Sequence, residues 1–391
     1  MLALRLARGT HPLVLLRRLL VAAASAGVGF LLLCALGYAI GHPGESQVSL
    51  TRLAWCALPL AATVHFAVAV ARTDPATRPR PGLSAIGLGP ARLAAVAATS
   101  TAVACTLGSM VALLVFLHLR GDLTGLPFDG ASADLLGAGR PLPLAAALTL
   151  LAIVPVVASC SAALALRPRR KAALDDDPDT AEPAAATTPA GLPWGVALMA
   201  LGVAIETYAS RGGGGGAAAV ALPDGFGGGP AGVLAGWALT AVGLAVAGPG
   251  LTHLTGRLLQ TFRPGVLRLL AGRALMDEAR RIGRPLGVSC AVASATIGAI
   301  TLYERGNSSH PFGPLTGLGA ALVMTCTTAT LLTAALESRQ TRVTTKDALL
   351  RLGASASTLR LAVGLRALAL LAVFVPLTWA VAELAALPLR G

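Results

Sequence analysis

Three side chains that can bind ions or carry protons lie inside long apolar stretches of the sequence. They are His65, Glu206 and Glu383. Charged groups are costly in an apolar environment, so these residues are candidates for a substrate path or for proton transfer. Two simpler interpretations stay open. A neutral His65 would hydrogen-bond to another helix, and the two carboxylates, near the outer ends of their segments, would reach the polar interface.

The other polar residues form no pattern that is typical of catalysis, metal binding or a resident cofactor. The acidic run 175–177 lies among prolines and alanines, which favours a solvated charge cluster over a metal site. The six cysteines lack the paired spacing of metal ligands. A P-loop requires Gly-Lys-[Ser/Thr], whereas the only two lysines, Lys171 and Lys346, follow an arginine and a threonine. We therefore predict no catalytic residue, no metal and no standard ATP site within this chain.

Long apolar runs must position these candidate residues. Of the 391 residues, 55% are apolar and 13% are charged, against about 25% charged in soluble proteins, and the mean hydropathy is +0.72. Nine runs are long enough to cross a membrane. They lie at 19–40, 53–71, 93–119, 142–166, 192–209, 231–247, 285–303, 315–336 and 367–387. Because the runs lack the alternation of a β-barrel, the sequence predicts an all-α integral membrane protein.

The basic residues predict the orientation of these spans. With the N-terminus in the cytoplasm, the cytoplasmic segments hold 25 of the 31 lysines and arginines. This predicts a multi-pass protein of the cytoplasmic membrane, with the C-terminus outside. Arg366, near the inner end of the last span, is expected to reach the lipid headgroups. Anionic lipids would match the net charge of +13, whereas dispersed basic residues without interleaved aromatics argue against nucleic acid as a partner.

A short pattern occurs twice next to apolar runs. At an offset of 266 residues, 81–96 matches 347–362 as L-x-x-[IL]-G-x-[GS]-x-x-x-L. The matched residues are Leu83, Ile86, Gly87, Gly89 and Leu93 in the first copy, and Leu349, Leu352, Gly353, Ser355 and Leu359 in the second. Each copy predicts a short helix, a turn and a long membrane helix, because glycine suits the left-handed conformation that ends a helix. Ser355, or Gly89 followed by Pro90, would cap the next helix.

A second match has nearly the same offset. The run Ala-Ser-Ala at 24–26, within 24–29, corresponds to 293–295, within 293–298, at an offset of 269 residues. Both stretches follow an arginine-rich approach, and small residues in this rhythm let helices come close together in lipid. The pattern indicates a duplication with parallel copies. The alternative is that the bias toward Ala, Leu and Gly produces weak matches within the chain.

The second copy resembles a known family. The stretch ALLRLGASASTLRLAVGLRAL at 348–368 resembles the cytoplasmic loop and following helix of FtsX-like ABC transporter permeases. That family shows a leucine-rich short helix, a Leu-Gly-Ala-Ser turn and a basic entry into a span, matched here by 352–355, Arg360 and Arg366. The stretch LRLLAGRALMDEARRIGRP at 267–285 is similar to the basic amphipathic helix that precedes the first span of such a module.

The resemblance implies an order of domains. A first four-span module at 1–166 would be followed by a disordered cytoplasmic linker at 167–191. Two connecting spans with a Gly-rich outside loop would come next, at 192–250. A basic amphipathic cytoplasmic segment at 251–284 would then lead into a second module at 285–391. This is the order of the ten-span version of the family, although nine spans are counted here. The chain lacks the large extracytoplasmic domain that many of those permeases insert in a module.

The resemblance also implies a function. In such transporters the short cytoplasmic helix couples the membrane helices to a separate ABC ATPase subunit, so ATP would act only through that partner. The implied coupling residues are Leu83, Ile86, Gly87, Gly89, Leu349, Arg351, Leu352, Gly353 and Ser355. The permease would work as a homodimer or heterodimer, driving export or mechanical work. The alternatives are a non-transporting scaffold or signalling subunit, and an ion-coupled secondary carrier that uses His65 and Glu206.

Overall fold

Almost all of the described chain is α-helical. The computed structural model describes residues 12–74, 90–123, 130–133, 136, 139–167, 191–211, 219–220, 229–261, 265–305, 313–351, 353 and 355–386. The helices are α1 Pro12–Gly41, α2 Ser46–Trp55, α3 Ala57–Thr73, α4 Pro90–Arg120, α5 Leu144–Ala165, α6 Gly191–Arg211, α7 Ala231–Gln260, α8 Val266–Arg305, α9 Pro314–Thr341, α10 Val343–Arg351 and α11 Ala356–Ala386. Two short strands, β1 Ala219–Val220 and β2 Gly229–Pro230, form an antiparallel pair.

Eight segments of the described chain are long and apolar enough to cross a membrane. They are α1, the nearly continuous α2 and α3, α4, α5, α6, α7, α9 and α11. The prediction of an all-α, multi-pass membrane protein is therefore confirmed. The remaining predicted run, 285–303, forms the second part of the 40-residue α8 and is not among the eight. A ninth span, and a tenth, stay predictions.

Several helices begin or end away from the predicted limits of the apolar runs. α11 begins at Ala356 rather than at residue 367, and α7 continues past residue 247 to Gln260. The predicted limits mark where Arg366 precedes one apolar run and Gly-Pro-Gly at 248–250 follows the other, but the helix continues through both places. α4 begins at Pro90, as predicted, because the fixed φ and missing N–H of proline suit the first helical position. The predicted linker at 167–191 lies almost entirely outside the described residues.

The chain divides into two compact units. Unit 1 comprises Met1–Asp175 and Phe312–Cys326, and unit 2 comprises Asp176–Pro311 and Thr327–Gly391. The boundary near residue 175 falls within the predicted linker. α9 is divided between the units, since its first part packs with unit 1 and its second part with unit 2.

In unit 1, α1 packs along α4, and α5 packs against α4 and α3. The apolar core contains Leu33 of α1, Phe116 of α4 and Leu151 of α5. α1 and α4 pack closely at Gly108, where a Cβ atom would lie 2.2 Å from the carbonyl oxygen of Ala22. Such contacts hold helices together in lipid, where close packing rather than the hydrophobic effect drives their association.

In unit 2, α6 packs on α7, α7 on α8, and α8 on α11. These contacts also run through small residues. A Cβ atom on Gly248 of α7 would lie 2.1 Å from the carbonyl oxygen of Gly283, and one on Gly195 of α6 would lie 2.5 Å from the backbone nitrogen of Ala247. Phe374 of α11 joins the apolar core formed by α7 and α8.

The two Ala-Ser-Ala motifs make equivalent contacts. Ser25 of α1 donates through Oγ to the carbonyl oxygen of Cys105 in α4 at 2.9 Å. Ser294 of α8 donates in the same way to the carbonyl oxygen of Thr378 in α11 at 3.0 Å. In each unit the serine therefore joins the helix that carries the motif to the helix that follows the repeated loop. Compositional bias does not predict matching hydrogen bonds, so this geometry supports a duplication.

Candidate functional site

α10 ends at the break predicted from the sequence. The backbone N–H of Gly353 donates to the carbonyl oxygen of Leu350 at 3.1 Å, and the φ angle of Gly353 is +91°. Ser355 then caps α11, because its Oγ accepts a hydrogen bond from the backbone N–H of Thr358 at 3.2 Å. The predictions that Gly353 ends the short helix and that Ser355 caps the next one are confirmed.

Gly353→Ala is expected to destabilise this turn by about 1–2 kcal/mol, because a side chain disfavours the left-handed conformation. No atom lies within 4 Å of a Cβ at Gly353, so the effect comes from the backbone rather than from a clash. Gly364→Ala is the control, since Gly364 has equal space but lies within α11. Amide hydrogen exchange at 351–358 should be faster in Gly353→Ala alone. Equal exchange in both variants and in the wild type would contradict this prediction.

One face of α10 is exposed. Val343 is 52% exposed and Leu350 is 37% exposed, and Asp347 and Arg351 are also exposed. Their spacing of four, seven and eight residues from Val343 places all four on one side of a helix. We call them the α10 face. It combines apolar surface with one negative and one positive charge, which suits contact with another protein more than contact with lipid tails.

Most of the other predicted coupling residues cannot be compared with this face. Leu83, Ile86, Gly87, Gly89 and Leu352 lie outside the described residues, and the side chain of Leu349 is also not described. Gly353 and Ser355 are exposed next to the α10 face. Leu350 matches the leucine-rich short helix of the resemblance but was not among the predicted coupling residues, although its seven-residue spacing from Val343 is a signal for a shared helix face.

A buried carboxylate joins three helices beside α10. Glu278 of α8 accepts a hydrogen bond through Oε1 from Ser338 Oγ at 2.6 Å. The same Oε1 pairs with Nε of Arg342, the residue between α9 and α10. Oε2 lies 3.9 Å from Nη1 of Arg366 in α11, and Arg342 also donates through Nη2 to the carbonyl oxygen of Ala274 at 2.9 Å. We call Glu278, Ser338, Arg342 and Arg366 the Glu278 cluster.

Burial makes the Glu278 cluster stronger than a surface ion pair. The exposed side-chain fractions are 11% for Glu278, 29% for Arg342 and 15% for Arg366. Solvent therefore screens the charges only weakly. The expectation that Arg366 reaches the headgroups is wrong, because this side chain is largely buried beside Glu278. One carboxylate compensates two guanidinium groups, and it links α8 and α11 to the residue where α10 begins.

The Glu278 cluster was not predicted from the sequence. Glu278 lies in a basic amphipathic stretch, where charges are ordinarily solvated. Its two arginine partners follow it by 64 and 88 residues, and their charges had been attributed to membrane topology. The one available signal is that Glu278 and Asp277 are the only acids among the seven basic residues of 257–284.

Unit 1 has a related ion pair at the start of its own loop. Arg18 Nη2 lies 2.6 Å from Asp74 Oδ2, and Arg17 Nη1 donates to Thr73 Oγ1 at 3.2 Å. Asp74 directly precedes 75–89, which contain the first copy of the loop pattern and lie outside the described residues. Asp74 and Arg342 are 268 residues apart, close to the offsets of the two sequence matches. In each unit an ion pair therefore joins the residue before the repeated loop to the first helix of the repeat. The pair is Asp74 with Arg18 of α1 in unit 1, and Arg342 with Glu278 of α8 in unit 2.

The three intramembrane candidates differ in burial. His65 lies on the exposed side of α3 in unit 1, and Glu383 is half-buried near the end of α11 in unit 2. Glu206 of α6 is fully buried, with 0% of its surface exposed. The interpretation that Glu206 reaches the polar interface is therefore wrong. Within the described residues, no group of three or more histidine, cysteine or acidic side chains comes together as a metal site.

No protein-family model matches the chain, and no curated protein or solved structure is significantly similar to it. The resemblance to FtsX-like permeases therefore stays a prediction from the residues at 348–368.

Proposed function

We propose that this chain is the permease subunit of an ABC-type complex in the cytoplasmic membrane. The observation that carries the proposal is the exposed α10 face, on a short helix that is held at its start by the Glu278 cluster. A short helix that ends at a glycine turn, directly before the capped start of α11, is a defined surface, and a buried carboxylate connects its start to two long helices. This arrangement suits the transfer of force from a docked protein into the membrane helices.

In this proposal a separate ATPase binds the α10 face. Val343 and Leu350 supply apolar contacts, and Asp347 and Arg351 supply charges that determine orientation. When the ATPase closes, displacement of α10 moves Arg342, which pulls on Glu278 in α8 and through it on Arg366 in α11. ATP is bound and hydrolysed by the partner, and the first-copy loop at 81–89 provides a second contact.

The proposal includes a topology and an assembly. The chain crosses the membrane nine times, with 285–303 as a span, the N-terminus in the cytoplasm and the C-terminus outside. Two copies, or one copy and a related permease, pair with two ATPase subunits. The excess of basic residues in the predicted cytoplasmic segments supports the orientation. The matching contacts of Ser25 and Ser294 support the two-module organisation.

Leu350→Asp is expected to abolish stimulation of the partner's ATPase activity, because a charge would replace one of the two apolar contacts of the α10 face. Leu269→Asp is a matched control, since Leu269 of α8 is 38% exposed and Leu350 is 37% exposed. ATP hydrolysis is measured on the reconstituted complex. Full stimulation in Leu350→Asp, or equal loss in both variants, would argue against docking at this face.

The partner is sought by mass spectrometry of proteins that co-purify with the full chain from gently solubilised membranes. We expect a stoichiometric protein that contains a P-loop, retained by Leu269→Asp and lost with Leu350→Asp. Absence of any P-loop protein at stoichiometric yield from the wild type would overturn the assignment to an ABC-type complex.

An ion-coupled carrier is the second candidate, and the buried Glu206 favours it. A carrier of this kind would move substrate in vesicles that contain the purified chain and an ion gradient, without ATP. Transport under those conditions, lost in Glu206→Gln, would favour the carrier over the permease subunit.

A further inference from the structure

Glu206 of α6 lies at a point where α6 and α7 are so close that only glycine fits at the facing position of α7. A Cβ atom on Gly236 of α7 would lie 2.5 Å from Glu206 Cγ and 3.0 Å from its backbone nitrogen. One turn away along both helices, a Cβ on Gly202 would lie 2.3 Å from Thr240 Oγ1. The side chain of Glu206 therefore packs against the backbone of α7 at Gly236, and Thr240 lies one helical turn further along α7.

The carboxyl group of Glu206 has no charged partner within the described residues, and it makes no hydrogen bond of normal geometry with the Thr240 hydroxyl beside it. Neither Oε1 nor Oε2 accepts or donates a hydrogen bond within the described residues, and both atoms are buried. Thr240 Oγ1 and Trp237 Nε1, on the same stretch of α7, are also buried without a hydrogen-bond partner. An ionised carboxylate without a counter-charge or hydrogen bonds is far more costly to bury than a neutral carboxyl group.

Among the side chains that the structure describes, none supplies an opposite charge to Glu206. α7 carries His253 and Arg257, which follow Thr240 by 13 and 17 residues, so His253 lies roughly 20 Å further along the helix axis. α11 carries Arg360 and Arg366 in its first third and Glu383 near its end. On α6 itself, Tyr208 is 83% exposed.

We propose that Glu206 is a proton-binding site, at which the carboxyl group holds a proton for as long as α6 and α7 stay packed. The ligand is the proton, because both carboxyl oxygens are buried, which leaves no room for a hydrated cation beside them. Separation of the two helices would admit water and release the proton. This proposal concerns unit 2 alone and does not rest on an ATPase partner.

Infrared difference spectroscopy tests this site directly, since a protonated carboxyl group has a carbonyl stretch that a carboxylate lacks. The spectrum of the full chain in lipid at neutral pH is compared with those of Glu206→Gln and Glu383→Gln. We expect a protonated-carboxyl band that disappears in Glu206→Gln and stays in Glu383→Gln. No such band in the wild type, or a band that remains in Glu206→Gln, would overturn the proposal.

Two further arms separate a proton site from the alternatives. If sodium ions added at constant pH remove the band, Glu206 is a cation site and the proton assignment is wrong.

Glutamine mimics the neutral carboxyl group, so the unfolding temperatures of Glu206→Gln and the wild type should agree at neutral pH. As pH rises, ionisation of the wild-type carboxyl group would place an uncompensated charge between α6 and α7, so only the wild type should lose stability. Parallel pH profiles would contradict the proposal.

Discussion

Glu278→Gln is expected to lower the free energy of unfolding of unit 2 by about 3–5 kcal/mol, the effect of removing one partner from a buried ion pair. Glutamine has nearly the same shape as glutamate, so the change removes charge without leaving a cavity. Arg342 and Arg366 would then lie close together without a counter-charge, and Ser338 would keep only a neutral acceptor. The measurement is unfolding of the full chain in mixed micelles by a denaturing detergent.

The neighbouring acid provides the control for this prediction. Asp277 precedes Glu278 in α8 but is exposed, so Asp277→Asn removes the same charge from a solvated position. We expect a change below about 0.5 kcal/mol, as for most surface substitutions. A double-mutant cycle with Arg342→Met should recover much of the loss, since it removes one of the two uncompensated charges. Equal effects of Glu278→Gln and Asp277→Asn would show that the Glu278 cluster contributes no stability.

Gly108→Ala is expected to be the most damaging single-methyl change in unit 1. The added Cβ would lie 2.2 Å from the carbonyl oxygen of Ala22, 2.8 Å from Ser25 Cβ and 3.0 Å from the backbone nitrogen of Ala26. Two of these atoms belong to the backbone of α1, so no rotamer change relieves the clash and the helices must separate. We expect a loss of about 1–3 kcal/mol, the usual effect of overpacking, with weakening of the Ser25 hydrogen bond to Cys105.

Gly319→Ala is the matched control for Gly108→Ala. Gly319 is also a helical glycine of unit 1, but its Cβ would meet only Leu31 Cδ1 at 3.8 Å, an ordinary contact. Alanine favours the helix over glycine by about 1 kcal/mol, so this variant should be as stable as the wild type or more stable. Detergent-induced unfolding of both variants measures the difference. If both variants were equally stable, the close contact of α1 and α4 would not be a determinant of the fold.

The break after α10 was predictable because its causes are local. A left-handed φ favours glycine at residue 353, and the hydroxyl of Ser355 reaches a backbone N–H three residues later in the same chain. No other part of the fold is needed for either interaction. The number of long apolar segments was also largely predictable, since the thickness of the membrane sets the length of a spanning helix.

The Glu278 cluster and the burial of Glu206 depend on contacts between distant parts of the chain. The sequence places Glu206 near the end of an apolar run, but its burial depends on the alignment of α6 with α7, which Gly202 and Gly236 allow. A shift of α7 by two residues would turn Gly236 away from α6, because each residue rotates a helix by about 100°. Such alignment follows from the packing of many residues and leaves no local signal.

The sequence by itself determined that the protein is a helical membrane protein, that a short helix lies between two long ones near its C-terminus, and where that short helix ends. These features follow from apolar length and from interactions within a few residues. Only the tertiary structure showed that Glu278 pairs with Arg342 and Arg366, that Glu206 is enclosed between α6 and α7, and that Ser25 and Ser294 make equivalent hydrogen bonds. The physical reason is that the partner of a buried polar group is determined by which helix faces meet, and close packing of small residues decides this across the whole unit.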